Sequence, residues 1–251
     1  MKQSREETIY GVHAVESALI NDAANVLSAW IESSKQDKRL QKILELLKNH
    51  QIPFEHADKK TLEKKSKTSR HQGVVIKYRS AGLYTEKELD QFLNKDELLI
   101  LALDGITDPH NFGACLRTAD ASGVDFVIIP KDKAVGITPV VRKVASGAVD
   151  TVPVVQVTNL VRSLKKCQDA GVWVYGAAGE TDQSVYDTDL KGKTAIVMGA
   201  EEKGLRRLTR ETCDVLFKIP MQGKVESLNV SVATAVILYE AVRQRFNKDS
   251  N

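Results

Sequence analysis

The run Leu98-Leu-Ile-Leu-Ala-Leu103, followed at once by Asp104-Gly-Ile-Thr-Asp-Pro-His-Asn-Phe-Gly-Ala-Cys-Leu-Arg117, decides how this chain is read. Six consecutive apolar residues closed by a turn signal suit a strand buried on both faces, and the loop behind them opens a helix at 111–121. The same pattern recurs downstream. Strands are expected at 126–129, 152–155, 172–175, 194–198 and 215–219, and helices at 138–148, 159–170, 204–212 and 229–246. Such alternation builds an α/β domain on an open parallel sheet, which binds ligands beyond the carboxyl ends of its strands.

Upstream, 11–20 suits a short helix and 26–31 a strand. Leu40, Ile43, Leu44 and Leu47 recur at helical spacing, Pro53 breaks the pattern, and 74–78 forms another apolar strand. The reading is a small N-terminal α/β domain over 1–78, a polar connection over 79–96, and a larger domain over 97–251. A length of 251 residues agrees with two such domains.

Charge separates the two halves. Residues 1–78 carry 14 Lys and Arg against 10 Asp and Glu, whereas the remaining 22 basic residues face 23 acids. Within 59–77 seven basic residues stand against Glu63 alone, a pattern that suits a phosphate backbone and also a solvated helix face. Three scattered cysteines, Cys115, Cys167 and Cys213, form no C-x-x-C pair and point to a reducing compartment. With no apolar leader and no run of about 18 apolar residues, the expectation is a cytoplasmic protein without a membrane span.

Three strand-end loops concentrate the unusual composition: 104–117, then Gly199-Ala-Glu-Glu-Lys-Gly-Leu205, then Pro220-Met-Gln-Gly-Lys-Val-Glu-Ser-Leu-Asn-Val-Ser231. Taken singly, Asn111, Ser227 and Asn229 read as helix caps, Glu201 and Glu202 as solvated acids, and Arg117 as a surface ion-pair partner. Their shared place at strand ends makes a pocket. Other chemistries lose ground. Gly192-Lys193-Thr194 precedes a strand where a phosphate loop must follow one, no G-x-G-x-x-G follows a strand, and no G-x-S-x-G elbow is present. The five histidines show no ligand spacing, so no metal is expected.

The stretches Asn111-Phe-Gly-Ala-Cys-Leu-Arg-Thr-Ala119, Ile196-Val-Met-Gly-Ala-Glu-Glu-Lys-Gly-Leu205 and Ile219-Pro-Met-Gln-Gly-Lys-Val-Glu-Ser-Leu-Asn-Val-Ser-Val-Ala233 together resemble the three ordered motifs of the SpoU, or TrmH, family of RNA 2′-O-ribose methyltransferases. Ile9-Tyr-Gly-Val-His-Ala-Val15 and His71-Gln-Gly-Val-Val75 extend the likeness over nearly the whole chain. The resemblance implies an α/β-knot, or SPOUT-type, catalytic domain with a C-terminal trefoil knot. It also implies a small N-terminal α/β RNA-binding domain, S-adenosylmethionine as cofactor and a homodimer. Nothing in the periodicity suggests a knot, a rare feature.

The same resemblance implies that Arg117, Asn111, Glu201, Ser227 and Asn229 are the catalytic residues. It marks Gly199, Ile219 and Leu228 as cofactor contacts with Gly179 and Met221 beside them, and Lys60, Lys64, Lys65, Arg70 and His71 as RNA contacts. The small residue usual after the second-motif acid is here Glu202, so the choice of Glu201 rests on the alignment. The last helix, with Ala235, Val236, Tyr239, Val242 and Phe246 on one stripe, is the expected contributor to the dimer. The implied substrate is a guanosine ribose of large-subunit rRNA, free or in an assembly intermediate. Relatives that act on tRNA or on an rRNA adenosine share the motifs, and a non-catalytic assembly protein and a nicotinamide-dependent oxidoreductase are the remaining alternatives.

Overall fold

The structure is a computed structural model that describes residues 5–33, 37–80, 82–200 and 203–246. It divides into a smaller unit, Met1–Gly82 with Ile137–Lys143, and a larger one, Leu83–Gly136 with Val144–Asn251.

In the smaller unit the elements run β1 (Arg5–Tyr10), α1 (Val12–Asp22), β2 (Val26–Glu32), α2 (Lys38–Asn49), β3 (Phe54–Ala57), α3 (Lys59–Ser66) and β4 (Val74–Ser80). The four strands form a sheet in the order β1-β4-β2-β3, with β4 antiparallel to both its neighbours and β2 parallel to β3. Asp37 caps α2 by accepting from the Arg39 N–H at 2.9 Å. The helix then buries Leu40, Ile43 and Leu47, spaced to share one face, in a core with Val15, Leu19, Ala29, Ile76 and Tyr78. Asp58 caps α3 in the same way through Thr61 N–H at 2.7 Å. That helix buries Leu62 and turns Lys60, Lys64 and Lys65 to solvent.

In the larger unit the order is β5 (Tyr84–Thr85), α4 (Leu89–Leu93), β6 (Leu98–Asp104), α5 (Pro109–Ala121), β7 (Phe126–Pro130), then α6 (Pro139–Ala145), most of which groups with the smaller unit. There follow α7 (Ala148–Thr151), β8 (Val154–Val157), α8 (Leu160–Asp169), β9 (Trp173–Ala177), β10 (Lys193–Gly199), α9 (Arg207–Thr212), β11 (Val215–Phe217) and α10 (Val230–Phe246). Seven parallel strands form one sheet in the order β11-β9-β10-β6-β7-β8-β5. All of β6 and β7 is buried, as helices on both faces require. From β6 the chain builds outward through β7 and β8, then returns to add β9, β10 and β11 on the other side. The switch point therefore lies between β6 and β10, whose last residues Asp104 and Gly199 pair in register.

Two stretches differ from the sequence reading. The polar stretch 79–96 holds β5, paired with β8, and α4, which buries Leu89 and Leu93 in the sheet's core. Two leucines four residues apart suffice to anchor a short helix that composition alone leaves undistinguished. The helix expected at 138–148 is broken after Ala145 by Ser146 and Gly147, both with positive φ (50° and 96°). At the far end of the last helix, Arg245 donates to the carbonyls of Leu98 and Gly192, each at 2.9 Å, tying α10 to the start of β6. Among the described residues no helix is long and apolar enough to cross a membrane.

Candidate active site

Asp104 ends β6 with its side chain fully buried, and the chain turns at Gly105 (φ 85°) into the loop that starts α5. Asp108 caps that helix, accepting from the N–H groups of His110 and Asn111 at 3.2 and 3.3 Å. Asn111 thus sits in the first turn, and its Oδ1 accepts from Asn229 Nδ2 at 3.0 Å across 118 residues of sequence. Asn229 Oδ1 in turn accepts from the N–H and hydroxyl of Ser231, at 3.0 and 2.6 Å, at the start of α10. Two of the three loops are joined side chain to side chain.

The loop after β10 closes the floor. Ala200 and Gly204 exchange backbone hydrogen bonds of 3.1 and 2.8 Å, folding the loop back over Gly199. A Cβ on Gly199 would lie 2.1 Å from the Gly204 carbonyl carbon, so only glycine permits this closure.

Two adjoining cavities result, sharing Ala200, Gly204 and Val230. The narrower, about 150 Å³, is lined by Ala177, Met198, Ile219, Leu228 and Ile237, with Lys218, Glu226 and Ser227 as its polar side chains. The wider, about 490 Å³, is lined by Asp104, Thr107, Asp108, Asn111, Lys133, Lys203 and Arg206 among others. Close to the floor, Cys213 is half-buried and its thiol is pushed up to about 12, first by burial, then by Asp214 and Asp104. No thiolate chemistry operates there at neutral pH. Among the described residues no cluster of His, Cys, Asp and Glu is arranged to hold a metal ion.

A model of the SpoU rRNA Methylase family matches residues 98–239, more than half the chain. The chain belongs to this family. A second model, RNA 2′-O ribose methyltransferase substrate binding, matches residues 8–82. The 23S rRNA (guanosine-2′-O-)-methyltransferase RlmB of Shewanella oneidensis is 49% identical over 242 residues, covering 96% of this chain and 98% of that one. Its Pseudomonas aeruginosa counterpart is 50% identical over 244 residues with the same coverage. Among solved structures, the SpoU methyltransferase AviRb from Streptomyces viridochromogenes, in complex with the cofactor AdoMet, superposes with a TM-score of 0.62. It is 26% identical and covers 96% of this chain and 91% of its own. The parallel α/β sheet is thus the fold of the SpoU methyltransferases, and S-adenosylmethionine is the family's cofactor.

The residues matched to the SpoU motifs fall as follows. Gly179, Gly199, Met221, Ile219, Leu228 and Ser227 all line the narrower cavity. Asn111 lines the wider one and holds Asn229. Glu201, with Glu202, lies outside the described residues. Arg117 stands on the exposed side of α5, away from the lining of either cavity. In the smaller unit Lys60, Lys64 and Arg70 are exposed, and Lys65 Nζ lies 3.7 Å from the Trp30 ring centroid, a cation–π contact.

His71 departs from its expected role. It is 2% exposed, and its Nδ1 accepts from Gly73 N–H at 3.1 Å, so it braces the turn into β4 and offers no surface to RNA.

Sequence reasoning also missed the polar wall of the wider cavity. Lys133 follows the carboxyl end of β7, a fourth strand-end loop that sheet logic could have included. Asp104 and Arg206 are brought together across 102 residues, which no local pattern reveals.

Proposed function

We propose that this chain transfers the methyl group of S-adenosylmethionine to the 2′-oxygen of a guanosine in 23S rRNA. The observation that carries the reading is identity of about half, end to end, with enzymes of that name. The intact pocket at the switch point supports it.

The residues present fit the cofactor. The narrower cavity is apolar and ringed by small residues (Ala177, Ala178, Gly179, Gly199), which leaves room for a flat base and a thioether, and Glu226 provides a carboxylate for a cation. When bound, S-adenosylmethionine supplies an electrophilic methyl on a sulfonium. The protein's task is the nucleophile, since a sugar hydroxyl is almost fully protonated at neutral pH and must be aligned to within about 3–3.5 Å of its target carbon.

Arg117 stabilises the charge that develops on the 2′-oxygen; a guanidinium keeps its proton, which suits this role better than proton abstraction. Asn111 and Asn229, already bonded to each other, orient the ribose. Ser227 holds the neighbouring phosphate or amide, and Glu201 fixes its loop.

Arg117 lies off the lining of its own chain's cavities, which favours a homodimer in which it reaches the partner's site. An apolar row on α10 supports that assembly: Val232, Tyr239 and Phe246, seven residues apart, are 48%, 50% and 75% exposed. Partly buried Ala235, Val236 and Val242 flank it. The smaller unit's lysines supply phosphate contacts that position the RNA, the C-terminal knot belongs to the same reading, and the compartment is the cytoplasm.

The test offers the protein methyl-labelled S-adenosylmethionine with 23S rRNA, 16S rRNA or tRNA. Label in 23S rRNA alone is expected; label in tRNA alone, or in none, contradicts the reading.

A further inference from the structure

The wider cavity is lined by a guanidinium, paired with a buried carboxylate, that the methyl-transfer chemistry does not use. Arg206 donates its backbone N–H to Asp104 Oδ2 at 2.9 Å, and its Nη1 lies 3.4 Å from Asp104 Oδ1. Asp104 is buried, and that Oδ1 has no hydrogen bond among the described residues, so the ion pair is its compensation. On the other side, Arg206 Nη2 lies against Gly105, where a Cβ would come within 2.9 Å of it. Arg206 is thus paired with Asp104 on one side and lies against the Gly105 turn on the other, while its side chain stays 44% exposed at the cavity's lining.

The neighbouring cations differ. Lys133 and Lys203 are exposed, line the same cavity and pair with no carboxylate among the described residues. Uncompensated ammonium groups suit phosphate. A guanidinium already neutralised by a buried carboxylate keeps its planar donor fork but little net charge, which suits the neutral edge of a base. Guanine presents two acceptors, O6 and N7, to such a fork; adenine presents N7 and an N–H donor, which the fork repels. At about 490 Å³ the cavity falls in the range of roughly 300–1,000 Å³ that accommodates a nucleotide-sized ligand, and unstacked RNA bases are the ones read along their edges.

We infer that the wider cavity receives the target nucleotide with its base splayed out, and that Arg206 reads guanine O6 and N7, making it the residue that selects guanosine over adenosine. This rests on the proposed function above, and it deepens that reading by assigning base selection to one side chain.

The experiment uses 23S rRNA fragments ligated to carry guanosine, 7-deazaguanosine or inosine at the methylated position. For the unaltered protein, kcat/KM is expected to fall about tenfold with 7-deazaguanosine, which lacks N7, and to stay within about twofold with inosine, which keeps O6 and N7. Arg206→Gln and Arg206→Lys should each lose about tenfold on guanosine and clearly less on 7-deazaguanosine, where only the O6 contact is left to remove. Unchanged cofactor affinity by calorimetry verifies that the variants are folded. Equal rates of the unaltered protein on guanosine and 7-deazaguanosine overturn the inference alone. So does a loss in either Arg206 variant on 7-deazaguanosine as large as that on guanosine, because N7 is then read by another group. No transfer to the guanosine fragment by the unaltered protein overturns the proposed function itself.

Discussion

Gly199, which shapes the cofactor cavity, and Arg117, to which the proposal gives the chemistry, are tested in opposite ways. Gly199 has no side chain because the Gly204 backbone occupies that space. Gly199→Ala should therefore push the 199–205 loop off its floor and weaken S-adenosylmethionine binding at least tenfold by calorimetry; an unchanged affinity would show that the loop is not part of the cofactor's seat. Arg117→Ala should behave in the opposite way. Methyl transfer should drop by about two to three orders of magnitude, the usual cost of removing a preorganised charge from a transition state, while cofactor affinity stays within about twofold. Retained turnover removes Arg117 from the chemistry. Gly199 was legible in the sequence as a strand-end glycine, and Arg117 was named there only through its motif. Arg206 was not, because its significance depends on Asp104, 102 residues away, and on the empty side of Gly105.

At the scale of elements, the central parallel strands were legible because burial on both faces favours runs of apolar residues, as in Leu98–Leu103. Edge strands carry no such signature. β1 reads Arg-Glu-Glu-Thr-Ile-Tyr, and β3, Phe-Glu-His-Ala, alternates too briefly to register. α3 was visible only as a run of charge, since Leu62 is its one buried apolar residue. That charge has a testable use. Reversing Lys60, Lys64 and Lys65 to glutamate should weaken RNA binding more than tenfold at low salt and flatten the slope of log affinity against log salt by about two to three, with cofactor affinity unchanged. An unaltered slope would place the RNA elsewhere. His71, implied as an RNA contact by the resemblance, is instead held inside, where the turn into β4 uses its ring as an acceptor.

At the scale of the whole molecule, the question is whether one chain builds a complete site. The exposed row on α10 and the outward side of α5 point to a second copy, which a mixing experiment resolves. Arg117→Ala and Gly199→Ala chains are denatured together, refolded and assayed at S-adenosylmethionine too dilute to fill the Gly199→Ala site, where neither chain is active alone. If Arg117 serves the partner's cavity, half of the dimers are mixed and each has one intact site, so about a quarter of the unaltered activity should return. If Arg117 serves its own chain, every mixed site keeps one defect and nothing returns.

The central claim concerns a single atom, the ribose 2′-oxygen. A methyl group there blocks that oxygen from attacking its own phosphodiester, so alkaline hydrolysis leaves the linkage intact. 23S rRNA treated with the protein and methyl-labelled S-adenosylmethionine, then digested in alkali, should yield one resistant dinucleotide carrying the label on its 5′-terminal guanosine. Label released entirely as mononucleotide would place the methyl group on a base and contradict the account.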